Sequence, residues 1–370
     1  MSEKGSAVRT FGDLAVGRDN NLDLLRMAAA TSVVFSHSYA LTGRALAEPL
    51  VVASGARTDA ATIGVTVFFA ISGFLIAQSL ARRRPLYAFA IARVLRIVPG
   101  LVFTKLICVF AIGWYATTFA TADYFAHPQT WRFAAITPFF GVPTYLPGVF
   151  ATNPYPLAIN GSLWTIPLEA WCYVGAAVLA AATILFRPVL LALGIACLIG
   201  LYVPFQAAIR GVLPFGETVT VPGLVLAFML GACLYACRRR IPVSLALAGA
   251  TLALLALSAV TPFFALAYYA GITYVALALA YHPRLQITAY RRVGDYSYGT
   301  YVLAFPIQQL LVWRFGIQDA LVLFAATMSV TLPLAALSWH FVEKPALKLK
   351  GPLAAWRPRL RYGLRRITRS

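Results

Sequence analysis

Charge is what this sequence has least of. Only 12% of its 370 residues are Asp, Glu, Lys or Arg, against 60% that are hydrophobic. Soluble domains carry about 25% charged and about 45–50% apolar residues. A soluble fold is thereby excluded, and no stretch outside the apolar segments is long enough to bury a core of its own. Acids are scarcest, 12 beside 31 Lys and Arg, which leaves a net charge of +19. That excess does not mark a nucleic-acid binder. The basic residues fall in short clusters between apolar segments, as the loops of a membrane protein do. Cysteine is rare, and Cys108, Cys172, Cys197, Cys233 and Cys237 all stand in apolar segments. They read as buried thiols, with no disulfide framework. Cys233 and Cys237 are one helical turn apart, but no His or carboxylate is near them, so no metal site is expected. No cleavable signal peptide is evident, nor a nucleophile elbow of the hydrolase kind. The internal repeat that many secondary transporters show is also missing, which weighs against that class.

What is present is a series of apolar segments of membrane-spanning length. They predict an all-α, polytopic integral membrane protein with about ten transmembrane helices, roughly 22–41, 60–81, 97–120, 162–186, 189–208, 221–237, 241–261, 264–281, 295–315 and 319–341. Residues 1–20 read as a cytoplasmic disordered arm, 21–350 as one membrane domain, and 351–370 as a basic tail on anionic lipid. The loop charges set the orientation. With the N-terminus inside, Arg82–Arg84, Arg93, Arg96, Arg187, Arg238–Arg240, Arg284, Arg291, Arg292 and the tail lie inside. Only Arg44, Arg57, Arg132, Arg210 and Arg314 lie outside, so both termini are expected in the cytoplasm. Residues 121–161, rich in Pro and aromatics, read either as one outer loop or as a re-entrant segment.

Against this apolar ground, Arg26 and His37 stand eleven residues apart in the first span. Eleven residues make about three helical turns plus ~20°, so the two share a face with an axial offset of about 16 Å. Ionisable groups inside a membrane helix carry a large desolvation cost and are functional candidates. A neutral imidazole can take a proton from a hydroxyl near neutral pH, which fits a general base in acyl or phosphoryl transfer. The bland alternative is a packed histidine bonded to a neighbouring helix. Arg93 and Arg96, at i and i+3, project together and are suited to phosphate, although basic clusters also simply anchor membrane proteins. Glu169 is expected at about the depth of His37, where a carboxylate would orient the imidazole or bind a sugar hydroxyl. The pairing of His37 with Glu169 is an expectation that a separation above about 12 Å, with no water chain between the two side chains, would defeat. Ser72-Gly73 inside an apolar span permits close helix approach or a local break. Asp295 and Glu343 fall near many arginines at predicted inner edges, where ion pairing is the expected role.

Taken in order, these segments resemble the acyltransferase-3 family of membrane-bound O-acyltransferases. The resemblance runs from about residue 20 to 350. It rests on Asn21-Leu-Asp23-Leu-Leu-Arg26 running on to His37, Val67-Phe-Phe-Ala-Ile-Ser72-Gly73-Phe-Leu-Ile, and Arg93-Val-Leu-Arg96-Ile-Val-Pro99. It continues with Ser162-Leu-Trp164-Thr-Ile-Pro-Leu-Glu169, Asp295-Tyr-Ser-Tyr-Gly-Thr-Tyr301 and Phe341-Val-Glu-Lys-Pro345. The resemblance implies a ten-helix enzyme of the cell inner membrane that takes an acyl group, usually acetyl, from cytoplasmic acyl-CoA. The usual acceptor is a hydroxyl of a cell-surface carbohydrate. It implies functional roles for Arg26, His37, Arg93 and Arg96, and no tightly bound cofactor beyond acetyl-CoA or another acyl-CoA as donor substrate. On this reading His37 is the base, Glu169 a second catalytic group, and Arg26, Arg93 and Arg96 bind acyl-CoA. Asp23, Ser72, Trp164 and Asp295 support the site. The partners are the donor, a carbohydrate acceptor and the lipid bilayer; a homo-oligomer or a polysaccharide-biosynthesis partner stays open. Two departures from the family stand out. Its ninth helix often carries a His after Tyr-x-Leu where this chain has Ala304, and many relatives add a soluble esterase-like domain after the last helix. Two alternatives remain at this point: acylation of a small metabolite, and a proton-coupled transporter of an acyl donor or glycan that uses His37 and Glu169 as a relay.

Overall fold

The computed structural model describes residues 9–17, 19–82, 85–135, 143–209, 221–287, 289–290 and 293–355. Residues 1–8, Arg83, Arg84, Arg210, Arg291, Arg292 and the tail beyond 355 lie outside them. Helix makes up 77% of the structure, with no strands among the described residues. Among the described residues ten long helices follow one another: α1 (Leu22–Leu41), α2 (Ala60–Ala81), α3 (Leu86–Ala116), α4 (Gly161–Ala181), α5 (Pro188–Ile209), α6 (Val221–Ala236), α7 (Leu245–Ser258), α8 (Phe264–Tyr281), α9 (Ser297–Phe315) and α10 (Ala320–Ala355). Five of these, α2, α3, α4, α8 and α10, are long and apolar enough to cross a membrane, so the protein is a membrane protein. The sequences of α1 and α9 are diluted by polar residues such as Arg26, His37, Gln308 and Gln309.

The helix over 97–120 was expected to begin at its apolar run. It begins eleven residues earlier, at Leu86, so Arg93 and Arg96 sit within a regular helix. Both α3 and α10 run past one turn of π-helix, at Cys108–Gly113 and Trp339–Glu343. A π-turn inserts an extra residue and re-aims the side chains around it. In α10 it accompanies the burial of Glu343, which is 1% exposed.

Helix α2 is the centre of the bundle: 78% of its apolar window is buried, against 28% for α10. Glycine makes this possible. A Cβ on Gly73 would sit 1.9 Å from the Phe228 carbonyl oxygen of α6, and one on Gly231 would sit 2.1 Å from the Ala70 carbonyl oxygen of α2. A Cβ on Gly64 would likewise sit 2.5 Å from the Ala29 carbonyl oxygen of α1. Backbones approach this closely only where small residues face each other, the common packing device of membrane helices. The Ser72-Gly73 pair therefore serves close approach, and α2 continues through it unbroken. Gly73→Ala should force α2 and α6 apart, destabilising the protein by about 3 kcal/mol as an overpacked core does. A lowered unfolding midpoint in detergent would show it.

Polar side chains tie the remaining pieces together. Gln308 of α9 donates to the Val34 carbonyl at 2.9 Å and to Ser38 Oγ at 2.7 Å, fastening α9 to α1. Residues 143–160 are not a loose loop. Asn153 donates to Gln309, and Asn160 donates to the Val302 carbonyl at 2.8 Å. Phe150 and Ile159 are fully buried.

The arm over 1–20, expected to be disordered, is docked over residues 9–17. Phe11 is 0% exposed, its ring packed against Phe74, Tyr274 and Tyr281. Its N–H donates to the Ile241 carbonyl at 3.1 Å, and Gln78 donates to the Ala15 carbonyl at 2.8 Å. One large aromatic in a polar stretch was enough to anchor it, because burying a Phe side chain contributes about 1.5–3 kcal/mol.

Candidate active site

Two cavities lie along α1. The larger, about 550 Å³, is lined by residues of α1, α2, α3, α4 and α9 together with Trp339 and Lys350 of α10. It gathers Asp23, Arg26, Ser72, Arg93, Arg96, Glu169 and Asp295, seven of the nine site residues expected from the sequence. The other two, His37 and Trp164, line the smaller cavity of about 300 Å³. Both volumes are within the usual range of small-molecule sites.

The arginines of the larger cavity are not equivalent. Arg96 donates to Asp295 Oδ2 at 2.5 Å, and its other terminal nitrogen lies 3.7 Å from Glu343 Oε2. Arg26 lies 3.7 Å from the same Asp295 oxygen and 3.9 Å from Asp23. Asp295 thus bridges α1 and α3, and it also accepts from Ser297 Oγ at 2.5 Å. Burial alone would raise the Asp295 pKa, but the Arg96 and Arg26 guanidiniums and the Ser297 hydroxyl outweigh it and hold the carboxyl below its usual range. The ion pairing expected of Asp295 and Glu343 is therefore present, and it draws in Arg26 and Arg96, which had been assigned to acyl-CoA.

Arg93 differs. It makes no ion pair or hydrogen bond among the described residues, and its Nε is buried without a partner. Its guanidinium lies over the rings of Phe89 and Tyr173, 5.8 Å from each centroid. Stacked arginines keep their fork edges available for planar anions. The i, i+3 spacing put both arginines on one side of α3. Only the tertiary contacts separated a structural cation from an open one.

His37 is half-buried in the smaller cavity. Its ring meets Phe305 edge-on, centroids 5.3 Å apart at 82°, and makes no hydrogen bond among the described residues. Glu169 and His37 share no direct hydrogen bond and line different cavities. Glu169 Oε1 instead accepts from Ser72 Oγ at 3.0 Å and from the Tyr173 hydroxyl, and the carboxylate lines the larger cavity. Equal depth along two helices does not make two side chains neighbours when the helices present them to different cavities. The carboxylate that shares the cavity of His37 is Asp59. Asp59 is the N-cap of α2, accepting from the Thr62 N–H at 2.6 Å. In the sequence it reads only as a cap before an apolar run, and nothing there connects it to His37. Among the described residues no cluster of three or more His, Cys, Asp or Glu side chains is placed to hold a metal.

Val65 of α2 and Tyr301 of α9 line both cavities. The Tyr301 hydroxyl donates to the Ser162 carbonyl at 3.0 Å and is 2.8 Å from Thr165 Oγ1, both at the start of α4. The arrangement is a basic chamber and a histidine chamber on either side of one wall. A polyanion with a long reactive arm could occupy the first and present its end toward the second.

The chain is similar to known proteins along most of its length. The chain is 30% identical over 357 residues to an O-acetyl transferase of Shigella phage Sf6, covering 90% of this chain and 98% of that protein. It is 26% identical over 366 residues to nodulation protein 10 of Rhizobium leguminosarum bv. viciae, covering 92% and 96%. No solved structure gives a significant match. Residues 19–340 match the acyltransferase domain of the acyltransferase-3 family, and with the match spanning nearly every helix, the chain belongs to that family.

Proposed function

We propose that the protein is an O-acyltransferase that moves an acyl group, acetyl foremost, from cytoplasmic acyl-CoA to a hydroxyl of a cell-surface carbohydrate. The observation that carries this reading is the pair of cavities along α1, one holding the open Arg93 and the other His37. CoA is a polyanion with its thioester at the end of a flexible arm. Its phosphates would meet Arg93 in the larger cavity, with Arg26 and Arg96 adding positive potential while they hold the acid cluster. His37 takes the proton of the acceptor hydroxyl, and the oxygen attacks the thioester carbonyl. The tetrahedral intermediate then collapses, the carbon–sulfur bond breaks, and the CoA thiolate takes the proton back from the imidazolium. Glu169 faces the donor side, where amide N–H groups of the arm would be its partners. On this reading all ten long helices cross the inner membrane with both termini in the cytoplasm, the side that holds acyl-CoA. The name of the phage relative supports acetyl as the group and oxygen as the acceptor atom.

Asp59 would favour the imidazolium formed during transfer. Asp59→Asn keeps an oxygen to cap Thr62 but removes the charge. Turnover should fall about tenfold with KM for acyl-CoA unchanged, and steady-state kinetics on the purified protein would separate the two.

The reading itself is tested with labelled acetyl-CoA and by glycan mass spectrometry. Purified protein in liposomes should transfer label to an acceptor glycan, and a deletion strain should lose one acyl mass from its surface carbohydrate. Proton-driven uptake without transfer would instead identify a transporter. Transfer in vitro with an unchanged glycan in the deletion strain would redirect the search to a small-metabolite acceptor.

A further inference from the structure

The two cavities share two lining residues, Val65 and Tyr301. Tyr301 is 7% exposed, although it lines both cavities. Its hydroxyl is held by the Ser162 carbonyl and Thr165 Oγ1, at 3.0 Å and 2.8 Å. Its ring is held by Phe68, edge to face, with centroids 5.6 Å apart. Val65, one turn before Phe69 on the same helix, completes the wall. A phenol fixed at both ends cannot swing aside as a free phenylalanine can, so its position is set by α4 and α2 together.

We propose that Tyr301 and Val65 form the constriction through which the acyl end of the donor reaches His37, and that this constriction limits the size of the acyl group to about that of acetyl. The proposal rests on the acyltransferase reading above. A donor bound by its phosphates beside Arg93 has its thioester on one side of the wall, and the base stands on the other. On this proposal, whatever part of the donor is attacked passes between a β-branched side chain and an immobilised ring. Both are rigid, since Val is stiff at χ1 and the tyrosine is doubly bonded. A rigid apolar gap rejects extra methylenes, each being worth about 10-fold or more in discrimination. Neither residue touches the phosphate end, so changing them should alter which acyl group is transferred and leave donor affinity alone.

The test compares acetyl-CoA with butyryl-CoA on the wild type, Tyr301→Phe and Val65→Ala, with CoA binding measured on each by calorimetry. Tyr301→Phe releases the ring from Ser162 and Thr165, and Val65→Ala widens the opposite side. The wild type should prefer acetyl by on the order of 100-fold, and each variant should cut that preference about tenfold with CoA affinity kept. An unchanged butyryl-to-acetyl ratio in both variants, beside a wild type active on acetyl-CoA, would overturn the constriction and leave the acyltransferase reading standing. Loss of acetyl transfer in Tyr301→Phe with CoA still bound would also overturn it, because a looser wall cannot exclude the smaller group. A wild type that binds CoA but transfers neither group would overturn the acyltransferase reading and the constriction with it.

Discussion

With His37 replaced by alanine, the protein should insert, fold and bind acyl-CoA, yet transfer its acyl group at least 10²-fold and up to about 10⁴-fold more slowly, the range of a lost general base. The fold does not depend on this side chain. It makes no hydrogen bond among the described residues, and its main contact is the edge of Phe305. The carboxylate that lines the same cavity cannot replace it readily, because Asp59 is committed to the Thr62 N–H at 2.6 Å. The measurement is single-turnover transfer of labelled acetyl by purified variant and wild type at equal occupancy. Near-wild-type turnover would remove His37 as the base.

The second large effect separates two arginines that are three residues apart. Arg93→Ala should weaken acyl-CoA binding by about tenfold to a hundredfold, the range for a lost charge-assisted contact, and leave the unfolding midpoint nearly unchanged. Arg96→Ala should do the opposite. It leaves Asp295 with Arg26 as its cation and takes from Glu343, which is 1% exposed, the arginine it is paired with. Breaking a buried pair from one side destabilises by about 3 kcal/mol or more, because the partner charge remains without compensation. Calorimetry for CoA and thermal unfolding in detergent, run on both variants, distinguish the roles. Equal loss of CoA affinity in both, with stability kept, would restore the arginine pair as a joint phosphate clamp.

The helices were legible in the sequence because membrane-spanning length and apolar composition are local properties. Tyr268 and Tyr269, fully buried in α8, sit in a run whose hydropathy alone marks a span. Most charged residues that line the two cavities were legible too, since an Arg, a Glu or an Asp in an apolar segment stands out whatever surrounds it. Their pairings were not. Depth arithmetic placed Glu169 level with His37, but the hydroxyls of Ser72 and Tyr173 hold its carboxylate in the other cavity. Phe11 was lost among polar neighbours, because one residue has no periodicity to detect.

By itself the sequence determined an all-helical membrane chain, the family it belongs to, and which ionisable residues the membrane domain keeps. These follow from composition, run length and ordered motifs, each readable along one dimension. The tertiary structure alone decided that Arg96 is tied up by acids while Arg93 stays open, that Asp59 rather than Glu169 shares the cavity of His37, and that Tyr301 lines both chambers. The reason is physical. The cost of a buried charge depends on what lies within a few ångströms of it, and those neighbours come from helices far apart in the chain, as Arg96 of α3, Asp295 before α9 and Glu343 of α10 show.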